Sequence, residues 1–108
     1  MAKSLDLKGM RRAIQARRVE WQRHALERMA GRHIARSEVF EVLLAGERIE
    51  DYPDTQPCPS ALFLGRSGMR PLHVVAAYDA SGARVFIITV YEPNLEHFEP
   101  DFKTRRKP

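Results

Sequence analysis

Residues 70–91 read RPLHVVAAYDASGARVFIITVY, two apolar segments separated by the turn sequence DASG at residues 79–82. Both segments, 72–78 and 85–91, are apolar, and 85–91 is rich in the β-branched and aromatic residues that favour strands. A short turn that contains glycine between two such segments is typical of an antiparallel hairpin. This stretch therefore predicts a β-hairpin.

Two further strands are predicted on the N-terminal side of the hairpin. Residues 61–64 (ALFL) form a short apolar segment closed by Gly65-Arg66-Ser67-Gly68, and residues 47–52 (ERIEDY) form another. The stretch 53–60 between them holds three prolines, which indicates an irregular loop. We expect a three-stranded antiparallel meander with 47–52 at its edge, hence a sheet of three to four strands.

Apolar residues at spacings of three and four predict three helices before the first strand. The first lies around Met10 in a basic segment. We expect the second to begin near Glu20 with Trp21 on its apolar face, and the third to run from an N-cap at Ser37 to Gly46. Helices that precede a meander can bury their stripes only on one face of it, so the fold class is a two-layer α+β domain.

The chain has 108 residues and a formal net charge of +4, which is the size of one domain. We expect a single domain over residues 1–102 and a basic tail over 103–108. No apolar segment is long enough to span a bilayer or to act as a signal peptide, and Cys58 is the only cysteine. These features exclude a disulfide framework and favour a cytoplasmic protein without membrane contact.

The positive charge is concentrated at the two ends of the chain. Residues 1–36 hold ten basic and three acidic side chains, residues 37–102 hold four and eleven, and residues 103–108 hold four basic ones. Such a distribution is compatible with a phosphate-bearing partner. It is equally compatible with an acidic protein partner, or with one half of the domain neutralising the other.

His24, Arg28 and Arg32 stand four residues apart and therefore line one edge of the second predicted helix. Two guanidinium groups and an imidazole on one edge favour phosphate binding, because the planar donors of arginine match phosphate oxygens. The alternative is a solvated basic face in which Arg28 pairs with a strand carboxylate such as Glu50.

His73 and Tyr91 lie on the two strands of the hairpin. His73 alternates with Leu72 and Val74, so it is expected on the sheet face opposite the helices, which would be open. There an imidazole can exchange a proton near neutral pH, or it can simply hydrogen-bond a loop carbonyl. The Tyr91 hydroxyl at the strand end can donate to phosphate or take part in proton transfer; alternatively the ring closes the edge of the core.

No metal site is predicted. The four histidines show no H-x-x-x-H spacing, and Cys58 has no partner cysteine. Cys58 stands between two prolines without a neighbouring cation, so it is not expected to act as a nucleophile either. We therefore expect no cofactor.

Four motifs together resemble a family of small, mostly bacterial proteins known only as a domain of unknown function, grouped with the RelE/ParE/BrnT toxin-like superfamily. The motifs are W-x-x-H-A-x-x-R-M (21–29) followed by Arg32, I-E-D-Y-P (49–53), R-P-L-H-V-V (70–75) and T-V-Y-E-P (89–93). The resemblance covers nearly the whole chain in order. It implies a compact RelE-like fold of helices on an antiparallel sheet.

The resemblance also implies a function. RelE-type toxins are held in check by antitoxin proteins, and several are metal-independent ribonucleases in which the RNA 2′-hydroxyl attacks the neighbouring phosphate. On that reading His24, Arg28, His73 and Tyr91 are the catalytic candidates, and Arg28, Arg32 and Arg70 contact RNA. The rival interpretation is a non-catalytic module that binds protein or nucleic acid. The oligomeric state and the RNA target are open.

Overall fold

A computed structural model describes residues 3–107; residues 1, 2 and 108, which belong to the two basic ends, lie outside the described part. Within this part, no helix combines the length and apolar character that crossing a bilayer requires. In chain order the elements are α1 (Leu7–Gln15), β1 (Val19–Trp21), α2 (Arg23–Arg32), α3 (Arg36–Ala45), β2 (Glu47–Tyr52), β3 (Ser60–Ser67), β4 (Arg70–Asp79) and β5 (Arg84–Tyr91).

The sheet confirms the predicted meander but is wider than expected. Its strand order is β1-β5-β4-β3-β2, and the four strands from β2 to β5 are antiparallel neighbours. As predicted, β2 is an edge strand. The expectation of three to four antiparallel strands is wrong, because β1 adds a fifth strand that runs parallel to β5. The sheet is therefore mixed, and the fold class is α+β.

The added strand is made by residues that the sequence pattern assigned to a helix. Val19 and Trp21 are half-buried and alternate with the exposed Glu20, and they pair in register with Val85 and Ile87. The second helix begins only at Arg23. Local spacing could not reveal this, because the partner strand lies more than sixty residues further along the chain and a three-residue strand has almost no period of its own.

The main core lies between the three helices and one face of the sheet. Met10, Leu43 and Phe63 are among its largest fully buried side chains. At Gly65, α3 approaches β3 so closely that an added Cβ would lie 2.9 Å from Cα of Val42. The packing of α3 on the sheet therefore depends on a residue without a side chain at this position.

The beginning of α3 differs from the prediction by two residues. Ala35, not Ser37, is the N-cap, and its backbone N–H donates to Oε1 of Glu38 at 2.9 Å. This hydrogen bond is the main reason why the pKa of Glu38 lies below its usual range. A carboxylate in the first turn replaces the hydroxyl cap that the sequence suggested.

The opposite face of the sheet is covered at one end, where an open surface was expected. The segment after β5, residues 93–107, folds back on it, and a bridge between Phe98 and Arg105 closes this segment into a loop. The Phe98 ring packs edge-on against the imidazole of His73 with centroids 4.6 Å apart. His73 is consequently fully buried, and its expected position on an open face is wrong.

Candidate functional site

A cleft of about 520 Å³ lies between α2, the end of β5 and the C-terminal segment. It joins candidate residues that are far apart in sequence. Its lining consists of His24, Arg28, Arg32, Thr89, Tyr91, Glu92, Asn94, His97, Phe98 and Arg105. Five of these ten side chains are arginine or histidine and one is a carboxylate, so the cleft is suited to an anion.

The α2 wall of the cleft carries the three residues that the sequence placed on one helix edge. His24, Arg28 and Arg32 all lie within α2, and all three are exposed. None of them forms an ion pair within residues 3–107. The alternative pairing of Arg28 with Glu50 is not formed, since Glu50 binds Arg105. Arg28 and Arg32 thus have no carboxylate partner in the described chain.

Tyr91 and His73 form a hydrogen-bonded pair behind the cleft. The Tyr91 hydroxyl oxygen lies 3.2 Å from Nδ1 of His73, and Nε2 of the same ring lies 2.7 Å from the Phe102 carbonyl oxygen. A carbonyl can only accept, so Nε2 carries the hydrogen and Nδ1 accepts the proton of the Tyr91 hydroxyl. This arrangement fixes the tautomer of a neutral imidazole.

The protonation states of the pair follow from burial. Burial lowers the pKa of His73, which disfavours the imidazolium form in the resting protein. Burial likewise raises the pKa of Tyr91, so its hydroxyl keeps its proton. Tyr91 reaches the cleft, whereas His73 does not line it. Any role of His73 in chemistry is therefore exerted through Tyr91.

Arg105 is held at the cleft by a carboxylate on β2. Its Nε and Nη2 lie 2.7 Å and 3.1 Å from the two oxygens of Glu50, a bidentate pair. The hydrogen bonds from Arg105 are the main cause that lowers the pKa of Glu50. The guanidinium also lies over the Phe98 ring, 5.0 Å from its centroid. The ion pair fastens the C-terminal segment to the sheet.

Arg70 occupies a different position from the other candidates. Its Nη2 lies 3.0 Å from both carboxylate oxygens of Glu38, and its Nη1 lies 3.4 Å from Oε1 of Glu92. The same guanidinium donates to the carbonyls of Arg32 and His33 at 3.2 Å. It therefore links the end of α2 and the first turn of α3 to the start of β4 and the end of β5. Arg70 is not among the side chains that line the cleft.

A comparison with protein families assigns the chain to one of them. The model of a domain of unknown function, DUF4258, matches residues 21–92. The chain belongs to the DUF4258 family. The resemblance to a domain of unknown function is thereby confirmed, although the family description gives no activity. No curated protein and no solved structure is significantly similar to the chain.

The DUF4258 match runs from Trp21 to Glu92 and so contains only part of the cleft. The α2 wall and the end of β5 lie inside it. The C-terminal wall, made by Asn94, His97, Phe98 and Arg105, lies beyond it. Structurally, this DUF4258 domain is completed at the cleft by the segment that follows the matched region.

The C-terminal wall contains the cleft residues that sequence reasoning missed. His97 and Arg105 lie in a polar segment without any periodic apolar pattern. The available signals were Asn94, whose side chain accepts from the backbone N–H of His97 at 3.1 Å in a turn, and the two aromatic residues Phe98 and Phe102. Aromatic residues in a polar segment indicate that the segment packs back onto the domain. They do not indicate which face of the sheet it covers.

The arrangement offers charge stabilisation and proton transfer to a bound phosphate. Arg28 and Arg32 supply unpaired donors, His24 and His97 supply exposed imidazoles, and Tyr91 supplies a hydroxyl. Within residues 3–107, no three His, Cys, Asp or Glu side chains are grouped so that they could hold a metal ion. The chemistry that these side chains can perform themselves is acid–base catalysis on an anionic substrate.

Proposed function

We propose that the chain is a toxin-type endoribonuclease of the RelE kind that cleaves RNA with its own side chains and is held in check by an antitoxin protein. One observation carries the proposal: Arg28 and Arg32, which have no carboxylate partner within residues 3–107, line the same cleft as Tyr91, whose hydroxyl is hydrogen-bonded to His73. This combination suits phosphate binding together with proton transfer. The α+β architecture is compatible with a RelE-like fold.

The scissile phosphate is bound by Arg28 and Arg32. Their spacing along one helix edge lets two planar guanidinium groups donate to the non-bridging oxygens of one or two neighbouring phosphates. Because neither side chain is neutralised by a carboxylate in residues 3–107, both charges are available for the negative charge that grows on the phosphate in the transition state.

The first proton transfer uses Tyr91 and His73. The 2′-oxygen of the ribose attacks phosphorus, and its proton passes to the Tyr91 oxygen while the Tyr91 proton passes to Nδ1 of His73. The phenol thus remains neutral and the imidazole becomes cationic. Burial and the Arg105 charge oppose that cation, whereas the Phe102 carbonyl and the Glu50 carboxylate favour it, so we propose that it exists only transiently.

The second proton transfer completes the cleavage. The bond between phosphorus and the 5′-oxygen breaks, and a protonated imidazole of His24 or His97 supplies a proton to that oxygen. The products are a 2′,3′-cyclic phosphate and a 5′-hydroxyl end. Since arginine provides the positive charge, the mechanism as proposed requires no metal ion.

Induced expression in a bacterial host tests the proposal. The wild-type chain is expected to arrest growth, and Arg28→Ala or His24→Ala is expected to relieve the arrest. Arg23→Ala is the matched control, because Arg23 is an exposed arginine of the same helix that does not line the cleft. If the wild-type chain accumulates in folded form without effect on growth or RNA, the proposal fails.

The competing function is a binding module without catalysis. The contacts of Arg70 favour it. This residue was predicted to contact RNA, but its side chain instead holds together the end of α2, the first turn of α3, the start of β4 and the end of β5. A pure nucleic-acid-binding module would bind RNA with strong salt dependence but leave no 5′-hydroxyl ends. A pure protein-binding module would show neither property.

A further inference from the structure

A second groove, of about 490 Å³, runs beside β1 at the edge of the sheet. It shares no residue with the cleft described above. Its lining is formed by Arg17, Val19, Trp21, Arg36, Ser37 and Phe40. An apolar floor with arginines at its rim is a feature that the proposed ribonuclease activity does not use.

The backbone of β1 has one free side. Gln22 N–H donates to the Ile87 carbonyl at 3.1 Å, and Val85 N–H donates to the Arg18 carbonyl at 2.9 Å. Successive residues of a strand direct their backbone groups to opposite sides, so those of Val19 and Trp21 point away from β5. Because β1 is the last strand of the sheet, no strand within residues 3–107 pairs with these groups.

The aromatic rings of the groove are already covered on their faces. Trp21 and Phe40 meet edge-on with centroids 5.5 Å apart. The guanidinium of Arg36 lies 5.0 Å from the Trp21 ring centroid, and that of Arg17 lies 5.6 Å from the Phe40 centroid. A nucleic-acid base could stack here only after displacing an arginine. The groove therefore suits a partner that binds the guanidinium groups instead.

The charges around the groove leave it net positive. Neither Arg17 nor Arg36 forms an ion pair within residues 3–107. Of the nearby acids, Glu20 pairs with Arg84 at 3.5 Å, and Glu41 lines an adjoining groove of about 450 Å³. That adjoining groove is also lined by Ile14, Leu44 and Phe40, so the apolar floor continues towards α1.

We propose that β1 binds an extended acidic segment of a partner protein, which pairs with it as a sixth strand. The segment forms main-chain hydrogen bonds with Val19 and Trp21, and these bonds contribute to its affinity. Its alternate apolar side chains lie on the groove floor, and its carboxylates meet Arg17 and Arg36. The inference rests on this edge alone and stands whether or not the cleft cleaves RNA.

The test is a titration of the ¹⁵N-labelled full chain, followed by NMR, with an eight-residue peptide of alternating Glu and Val. We expect shifts confined to the β1 edge, and slower exchange of the Val19 and Trp21 amide hydrogens. The double variant Arg17→Glu, Arg36→Glu is expected to weaken binding by at least about tenfold. The double variant Lys8→Glu, Arg12→Glu, an equal charge change at two exposed positions outside both grooves, should leave binding unchanged.

Five results would overturn the proposal. A peptide methylated at alternate backbone nitrogens that binds as tightly would exclude strand pairing, and this probe needs no protein variant. A Lys–Val peptide that binds as tightly would exclude charge recognition. Shifts of the β1 edge caused by single-stranded RNA, or by self-association of the chain without peptide, would assign the edge to another occupant. Absence of any shift at millimolar peptide would exclude the site.

Discussion

The hydroxyl of Tyr91 lies 3.2 Å from Nδ1 of His73, and the two residues are partners in register on neighbouring antiparallel strands. One end of this pair reaches the cleft and the other is fully buried. The second imidazole nitrogen is fixed by the Phe102 carbonyl. The backbone of the sheet and of the C-terminal segment therefore sets the direction of the proton that joins the two side chains.

Removing the Tyr91 hydroxyl tests this link through stability. In Tyr91→Phe, Nδ1 of the buried His73 loses its donor, so we expect the free energy of unfolding to fall by about 1–3 kcal/mol. In a His73→Leu background, Tyr91→Phe should lower the free energy of unfolding by clearly less, since no buried acceptor is left unpaired. Urea unfolding of the four proteins measures the coupling. Equal costs in both backgrounds would show that the hydrogen bond is absent.

The stability of the chain should depend on pH through His73. Burial holds the pKa of His73 below its ordinary value of 6.5, so the unfolded chain binds a proton more readily than the folded one. The resulting stability is fully present above about pH 6.5 and is lost as the pH falls through that value towards the folded-state pKa. In His73→Gln this loss should be missing. The free energy of unfolding, measured at about pH 7.5 and about pH 5.5, gives the pH dependence of the wild-type chain and of His73→Gln. The same pH dependence in both would contradict the assignment of this effect to His73.

Arg70 should act as a structural clamp. A lysine keeps the charge, but its single nitrogen cannot replace the two guanidinium nitrogens. Nη2 of Arg70 contacts Glu38 and the His33 carbonyl, while Nη1 contacts Glu92 and the Arg32 carbonyl. We expect Arg70→Lys to lower the free energy of unfolding by about 1.5–3 kcal/mol. Arg23→Lys, at an exposed position of α2, should change it by less than about 0.5 kcal/mol. Unchanged stability with weakened RNA binding would instead assign Arg70 to RNA contact.

RNA binding should respond to salt through the α2 cations. Each phosphate contact on a single strand contributes about 0.7 to the slope of log affinity against log salt concentration. We expect Arg28→Ala and Arg32→Ala each to reduce that slope by about this amount, and Arg23→Ala to leave it unchanged. Fluorescence anisotropy with a short labelled RNA at several salt concentrations gives the slopes. Identical slopes in all variants would remove the α2 edge from the binding surface.

The strands that were found from sequence are those whose own residues specify them. Residues 72–78 and 85–91 are apolar segments separated by a turn signal, so β4 and β5 could be predicted. Val19 to Trp21 could not, because this short strand exists only through its pairing with β5, a contact that depends on the whole fold. The helix edge with Arg28 was recognisable because its spacing is local.

The candidate site was predictable to the extent that it lies on single elements. Helical spacing joined His24 to Arg28, but nothing local indicated that Arg105 and His97 would reach the same cleft. The same return of the C-terminal segment buries His73, which strand alternation had placed on an open face. The alternation of side chains along a strand tells which face of the sheet a residue lies on. Whether that face is buried depends on segments that are distant in sequence.

The most direct test of the proposed cleavage is a map of RNA 5′-hydroxyl ends in bacteria that express the chain, because it includes ribosome-bound RNA. Expression of the wild-type chain and of Arg23→Ala is predicted to generate new 5′-hydroxyl ends within minutes of induction, and Arg28→Ala is predicted to generate few. If wild type and Arg28→Ala give the same ends, or if no new ends form although the chain is folded and abundant, the cleft is not a ribonuclease site.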